Sequence, residues 1–269
     1  MRKSITKIRV SGKGCGLLLV WVLFSGCTSF TPEGRHTLMK GYQAYQRKDD
    51  AETIRRMTRF LEKFGSTQEA AEGYYLRGLA YVRTGKPSVA EKDFTRCARQ
   101  AIRADLQRYA RVSLGNLAFE EEKFSEAAKH YRASLPSRPN QDPYGRVLAR
   151  LAVALQGAGR WTEADVFWAR ILYYFKNSPT EQFARQRFRS NCFMVQTGAF
   201  GNPANALAQR EKLKQHGFPA RRQRRYRVGR LLTVNQVGPY ETWVQGVSAL
   251  KKVRRFVPGA VLRPARRDG

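Results

Sequence analysis

A spacing of 37 residues recurs between positions 41 and 168 of this chain and limits the folds that it can adopt. Small residues recur at this spacing in two sets, which are Gly41, Gly78, Gly115 and Ala152, and then Thr53, Ala90, Ala127 and Ala164. Four residues after each member of the second set stands a large side chain, at Met57, Phe94, Tyr131 and Trp168. Small residues let two helices approach closely, and the large residue one turn further along fills the remaining space. The pattern predicts four helix pairs, at about residues 35–47, 50–64, 69–84, 86–100, 104–121, 123–135, 144–158 and 161–175.

The second of these units resembles the tetratricopeptide repeat (TPR). The resemblance is carried by Tyr75–Tyr81 and by the Gly85, Ala90 and Phe94 that follow. TPR units have a usual period of about 34 residues, and they stack into a solenoid with a concave groove. Two roles stay open for such a solenoid. It is either a spacer that presents the C-terminal part of the chain, or a groove that docks a partner protein.

The C-terminal part changes from a helical to a mixed pattern. Residues 192–200 alternate as a strand does and are followed by a helical pattern over 202–216. An arginine-rich strand and then a strand at 231–240 follow this helix. They lead into a helical pattern over 242–252, and a last strand follows at 260–263. Strand–helix–strand–strand–helix–strand is a two-layer α+β unit, with ferredoxin-like topology. Its two helices would cover one face of the sheet and leave the other face open for a ligand.

Residues 191–265 resemble the SPOR (sporulation-related repeat) domain. The resemblance is carried by Val195–Phe200, by Gly217–Ala220 and by Val237–Tyr240. It implies binding to peptidoglycan glycan strands that have lost their stem peptides, on the open sheet face. The glycan contacts expected from this resemblance are Gln196, Met194, Tyr226, Leu232, Val234 and Gln236. Leu232 and Val234 stand where the family often has an aromatic residue and an arginine, and neither can hydrogen-bond to a sugar.

The first 26 residues are typical of a secretory signal. Five basic residues precede the short apolar run Gly16–Phe24, which is too short to span a bilayer comfortably. The ending Phe24–Cys27 resembles the lipobox of bacterial lipoproteins, which implies lipidation of Cys27 after cleavage. Thr28, and not an aspartate, follows the cysteine, and by resemblance to the sorting of proteobacterial lipoproteins this favours the periplasmic face of the outer membrane. The alternative is an ordinary cleaved signal with an incidental cysteine.

The charge and the cysteines narrow the classes of function. A formal net charge of +29 indicates anionic partners, or else a basic background of solvated arginines. The four cysteines have no metal-ligand spacing, and no catalytic motif is present, so we expect no metal, no cofactor and no enzymatic activity. The positive charge of residues 191–269 is also typical of domains that bind nucleic acid, but the predicted secretory signal argues against that partner.

These observations predict an α-helical TPR-like solenoid followed by a small α+β SPOR domain. The predicted divisions are a signal peptide 1–26, a lipidated N-terminus and linker 27–34, repeats 35–176, a linker or capping helix 177–190, a SPOR domain 191–265 and a basic tail 266–269. The leading functional hypothesis is a lipid-anchored envelope protein that binds denuded glycan and recruits envelope proteins through its repeats, in cell division or wall remodelling. Two alternatives are a scaffold lipoprotein for assembly of outer-membrane or envelope complexes, and a regulatory subunit of a wall hydrolase or synthase.

Overall fold

The computed structural model of the protein describes residues 31–67, 69–227 and 229–267. The predicted signal peptide 1–26 and the predicted lipidation site Cys27 lie outside these ranges. Within them, no helix combines the length and the apolar character needed to cross a bilayer. The chain forms two compact units, one ending at Leu106 and the other starting at Gln107. This division falls inside the repeats, and the domain boundaries given above remain predictions.

The first unit contains helices whose starts are set by local chemistry. They are α1 (Pro32–Gln46), α2 (Asp50–Phe64), α3 (Ala70–Arg83) and α4 (Pro87–Gln100). The hydroxyl of Thr31 accepts a hydrogen bond from the backbone N–H of Gly34 at 3.2 Å and so caps α1. The carboxylate of Asp49 caps α2 by accepting from the N–H of Glu52 at 3.0 Å. Such caps satisfy N–H groups that have no partner within the helix.

The second unit begins within α5 and continues the repeat. Its helices are α5 (Ala104–Glu120), α6 (Phe124–Ser134), α7 (Tyr144–Gly157), α8 (Trp161–Tyr174) and the short α9 (Pro179–Arg185). The core of these helices is a continuous apolar cluster that includes Tyr131, Leu151, Leu155, Trp168 and Ile171. Ala184 of α9 joins this cluster, so α9 packs against the preceding helices, and its role as a capping helix remains a prediction.

The small and large positions of the 37-residue repeat are packing partners. A Cβ atom added at Gly78 would lie 2.7 Å from Cε1 of Phe94, and one added at Gly115 would lie 2.7 Å from Cε1 of Tyr131. Gly41 faces Met57 in the same way. The four large residues are at most 1% exposed. The predicted TPR-like register is therefore confirmed as a register of helix packing.

The turn inside each helix pair has the same backbone conformation. Four residues, each 37 after the last, have a positive φ: Lys48 (63°), Gly85 (74°), Glu122 (61°) and Gly159 (79°). In the first repeat, Lys48 stands at the position that Gly85 and Gly159 occupy in later repeats. The lysine nevertheless adopts the left-handed conformation, which costs a residue with a Cβ about 1–2 kcal/mol.

The C-terminal part is the predicted α+β unit. Its elements are β1 (Cys192–Phe200), α10 (Pro203–Gln215), β2 (Ala220–Arg227), β3 (Arg230–Tyr240), α11 (Trp243–Val253) and β4 (Val261–Ala265). The strands form an antiparallel sheet in the order β2-β3-β1-β4. Val195 of β1 and Val237 of β3 are directly paired and pack with Leu213 of α10 and Val253 of α11. Both helices therefore cover the same face of the sheet.

An aromatic cluster joins this α+β unit to the last repeat. The ring of Phe193 on β1 lies 4.8 Å from that of Trp161 at the start of α8 and 5.7 Å from that of Trp243 at the start of α11. Phe124 of α6 lies 6.3 Å from Trp243. The indole Nε1 of Trp161 donates a hydrogen bond to the carbonyl oxygen of Glu241 at 2.9 Å. The partners of Phe193 thus include a helix of the repeats, which the local sequence pattern does not indicate.

Candidate functional site

The centre of the sheet face opposite to α10 and α11 holds two neighbouring amides. Gln196 of β1 pairs directly with Gln236 of β3, and these are the two central strands of the sheet. Alternation along each strand places both side chains on the face opposite to Val195 and Val237. Two of the predicted contacts are thus brought side by side by the strand register.

Gln236 is the more deeply set of these two amides. Its side chain is only 6% exposed, and its Nε2 atom has no hydrogen-bond acceptor in the described part of the chain. An unpaired buried polar group costs on the order of 1–3 kcal/mol. A ligand oxygen above this position would supply the missing acceptor and remove that cost.

Apolar residues flank the amides on the same face. Val234 follows the same alternation as Gln236 and is 4% exposed, and Leu232 beyond it is partly buried. Met194 lies two residues before Gln196 and is 5% exposed, packed with Cys192 and Ala265. The face is therefore more tightly packed than an open surface, and Met194 in particular contributes to a small core as well as to the face.

Tyr226 lies on the other side of the sheet from the remaining five predicted contacts. It pairs with Leu231, which is adjacent in sequence to Leu232, and successive residues of a strand point to opposite faces. The prediction that Tyr226 shares the glycan-binding face is wrong for this reason. Arg225, its neighbour in β2, pairs with Leu232 and does lie on the face of the amides.

A buried polar network on the helix side holds the two central strands in register. The Nδ2 atom of Asn235 donates to the carbonyl of Ala206 at 2.7 Å and to Oε1 of Gln209 at 3.0 Å. The Nε2 atom of Gln209 donates to the carbonyl of Thr197 at 3.3 Å. This network ties α10 to β1 and β3 where the register between these strands shifts. It positions Gln196 and Gln236, and its one signal in the sequence is the polar Asn235 in an otherwise apolar strand.

Cationic side chains lie at both edges of the face. Arg221 of β2 pairs with Gln236, and Arg263 of β4 pairs with Met194; both arginines are exposed. Within the described ranges no group of His, Cys, Asp and Glu residues is arranged to hold a metal ion. At the end of β3, burial raises the pKa of the Tyr240 hydroxyl, so Tyr240 stays neutral at physiological pH. The face thus has a neutral amide centre with a positive rim, which suits a polar ligand carrying few negative charges.

The chain was compared with known protein families and solved structures. The SPOR domain family matches residues 190–263. Among solved structures, Pseudomonas aeruginosa PilF is 16% identical with a TM-score of 0.45, and the match covers 56% of this chain and 65% of the PilF chain. A crystal structure of the MamA protein is 16% identical with a TM-score of 0.35, and the match covers 52% of this chain and 90% of that chain. A search of the curated proteins gave no match.

The repeat assignment rests on the packing register described above, because both structural likenesses are distant. The family match covers the strands and helices from β1 to most of β4, including Gln196 and Gln236. The chain therefore carries a SPOR domain at residues 190–263, and TPR-like helical repeats precede it.

Proposed function

We propose that this protein is a lipid-anchored component of the cell envelope that binds denuded peptidoglycan glycan strands through its SPOR domain. Its repeats recruit protein partners, and its setting is cell division or wall remodelling. SPOR domains bind peptidoglycan and TPR folds mediate protein interactions, so the domain content supports a scaffold with two kinds of partner. Both are binding domains, and the proposal assigns the chain no catalytic step.

The observation that carries this proposal is the pair of amides at the centre of the sheet. An amide both donates and accepts hydrogen bonds, as a sugar hydroxyl does, so Gln196 and Gln236 match the hydroxyl groups of a polysaccharide. The Nε2 atom of Gln236 has no hydrogen-bond acceptor among the described residues, which supports a role as a donor to a ligand oxygen. Leu232, on the same face two residues before Val234, is only partly buried and offers an apolar surface for the C–H groups of a sugar ring.

The arginine beside the amides accounts for a preference for strands without stem peptides. Removing a stem peptide converts an amide on the lactyl group of the glycan into a carboxylate. Arg221 is directly paired with Gln236 and is exposed, so its guanidinium can form a charge-assisted hydrogen bond with that carboxylate. An intact stem peptide offers no carboxylate at this position.

Sedimentation of the full chain with amidase-treated sacculi tests this proposal. Gln236→Ala should release most of the bound protein, whereas Gln215→Ala should not, because Gln215 is an exposed amide at the end of α10. Moderate salt should weaken the contact of Arg221 and leave the amide-dependent binding in place, since exposed charges are screened within about 8 Å. Binding that disappears in salt and is indifferent to Gln236→Ala would contradict the proposal.

The anchoring of the chain is supported by its sequence. A basic segment, an apolar run and the ending Ser25-Gly26-Cys27 indicate lipidation of Cys27, and multiple acyl chains give stable membrane attachment. Thr28 favours the periplasmic face of the outer membrane. A lipid anchor there would hold the SPOR domain near the peptidoglycan layer.

A second candidate function is a scaffold for assembly of an outer-membrane or envelope complex. It is favoured by exposed apolar side chains on α8, namely Val166 (58% exposed), Tyr173 (68%) and Tyr174 (47%). Affinity capture from envelope extracts with Gln236→Ala separates the two functions. A scaffold would keep its protein partners in this variant, whereas partners held only through the glycan would be lost.

A further inference from the structure

The edge strand β2 exposes arginines that have no acidic partner. These are Arg221, Arg222, Arg224 and Arg225, and none of them forms an ion pair with a carboxylate in the described ranges. Several arginines of the repeats differ, because they bind carboxylates. Arg77 lies 2.8 Å from Asp93, and Arg103 lies 2.6 Å from Asp105. The positive charge of β2 is therefore available to an outside anion.

The end of the β2–β3 hairpin also exposes two apolar side chains. Tyr226 is 76% exposed and Leu231 is 53% exposed, and the two residues are directly paired. Arg222 and Arg224 lie on the same face of the hairpin, because they are four and two residues before Tyr226. Arginines alone on an edge strand would be explained as protection against sheet-to-sheet aggregation. That explanation does not cover an exposed tyrosine and leucine beside them.

We propose that the end of this hairpin docks on a membrane surface that carries anionic phosphate headgroups. The docking surface consists of Arg222, Arg224, Tyr226 and Leu231. Guanidinium groups form paired hydrogen bonds with phosphate oxygens. Tyrosine is enriched at membrane interfaces, where its ring meets the acyl chains and its hydroxyl meets water. A dissolved polyanion would use the arginines and would have no use for the apolar pair.

This docking surface is separate from the proposed glycan site. Its four side chains lie on the face opposite to Gln196 and Gln236, so membrane and glycan can be held at the same time. Membrane docking can therefore be tested separately from glycan binding. It concerns direct contact of the folded domain with the bilayer, which is also distinct from an acyl anchor at Cys27.

Quenching by brominated lipid tests this docking. The full chain would carry Tyr226→Trp, and vesicles of phosphatidylglycerol and phosphatidylcholine would be compared with vesicles of phosphatidylcholine alone, all with brominated acyl chains. The matched control is Tyr173→Trp, since Tyr173 is 68% exposed on α8. Every sample has the same N-terminus, so a difference between the two variants reports the hairpin. We expect quenching of Tyr226→Trp in anionic vesicles only, and none for the residue added at position 173.

A charge test completes the experiment. Arg222→Gln combined with Arg224→Gln should raise the lipid concentration needed for half-maximal quenching of Tyr226→Trp roughly thirtyfold. Each basic residue near an anionic surface contributes about one kcal/mol to binding. Lys251→Gln with Lys252→Gln removes the same charge from exposed positions on α11 and should have little effect. Tyr226→Trp that stays unquenched, or quenching equal to that of Tyr173→Trp, would overturn the proposal. Arginine-dependent binding of soluble polyphosphate without quenching by vesicles would overturn it as well, in favour of a dissolved polyanion.

Discussion

Removing Trp161 should loosen the SPOR domain from the last repeat. Its ring pairs with Phe193 at 4.8 Å, which is worth about 0.5–1.5 kcal/mol. Its Nε1 donates to the carbonyl of Glu241, which adds about 0.5–1.5 kcal/mol. Trp161→Ala should therefore destabilise the second compact unit by about 1–3 kcal/mol. For a unit of this size, such a loss lowers Tm by about 2–12 °C.

Differential scanning calorimetry of the full chain would measure this shift. Trp161→Phe is the matched control, because it keeps an aromatic ring beside Phe193 and loses only the hydrogen bond to Glu241. It should show about half the effect of Trp161→Ala. Tyr173→Ala, at an exposed position on α8, should change Tm little. An unchanged transition in Trp161→Ala would refute the reasoning, because it would mean that the aromatic cluster contributes no net stability.

Four further predictions concern the repeats and the cysteines. Gly78→Ala should lower the free energy of unfolding by about 1–2 kcal/mol in urea titrations, because overpacking against Phe94 outweighs the gain in helix propensity; a stabilised variant would contradict this. Lys48→Gly should stabilise by up to about 1 kcal/mol in the same assay, because glycine adopts a positive φ without strain, and a clear loss would show that the lysine side chain contributes more than its strain. Burial raises the pKa of the Cys97 thiol to about 12. The free energy of unfolding should therefore be independent of this thiol below pH about 9 and should fall as the pH rises towards 12, more steeply than in Cys97→Ala. Parallel pH profiles of the two proteins would contradict this. Labelling cells with a clickable fatty acid should tag the wild type and leave Cys27→Ser unlabelled, and equal labelling would remove the lipoprotein proposal.

Features that depend on neighbours along the chain were predictable from the sequence. The small residue at Gly78 and the large residue at Phe94 belong to adjacent helices, so a fixed spacing records their contact. The predicted helix at 50–64 and the predicted strand at 192–200 have the same bounds in the structure, because caps and turn residues mark their ends. The SPOR family match at 190–263 likewise confirms a prediction that rested on short local motifs.

Features that depend on distant pairing were not predictable in the same way. The face on which Tyr226 lies is decided by its pairing with Leu231 across the hairpin, and a one-residue difference in strand alternation reverses the answer. The contact of Trp161 with Glu241 joins residues 80 apart, and no periodicity records it. The burial of Gln236 likewise depends on side chains from several strands, which a single strand pattern does not describe.

Binding of the full chain to two forms of peptidoglycan would show whether the SPOR domain prefers denuded glycan. Equal masses of sacculi, either treated with amidase to remove stem peptides or left untreated, would be incubated with the protein and sedimented, and the bound fraction measured. We expect strong binding to treated sacculi and weak binding to untreated sacculi. The amides of Gln196 and Gln236 and the guanidinium of Arg221 would form hydrogen bonds with a glycan that has lost its stem peptides. Equal binding to both forms, or no binding to the treated form, would contradict it.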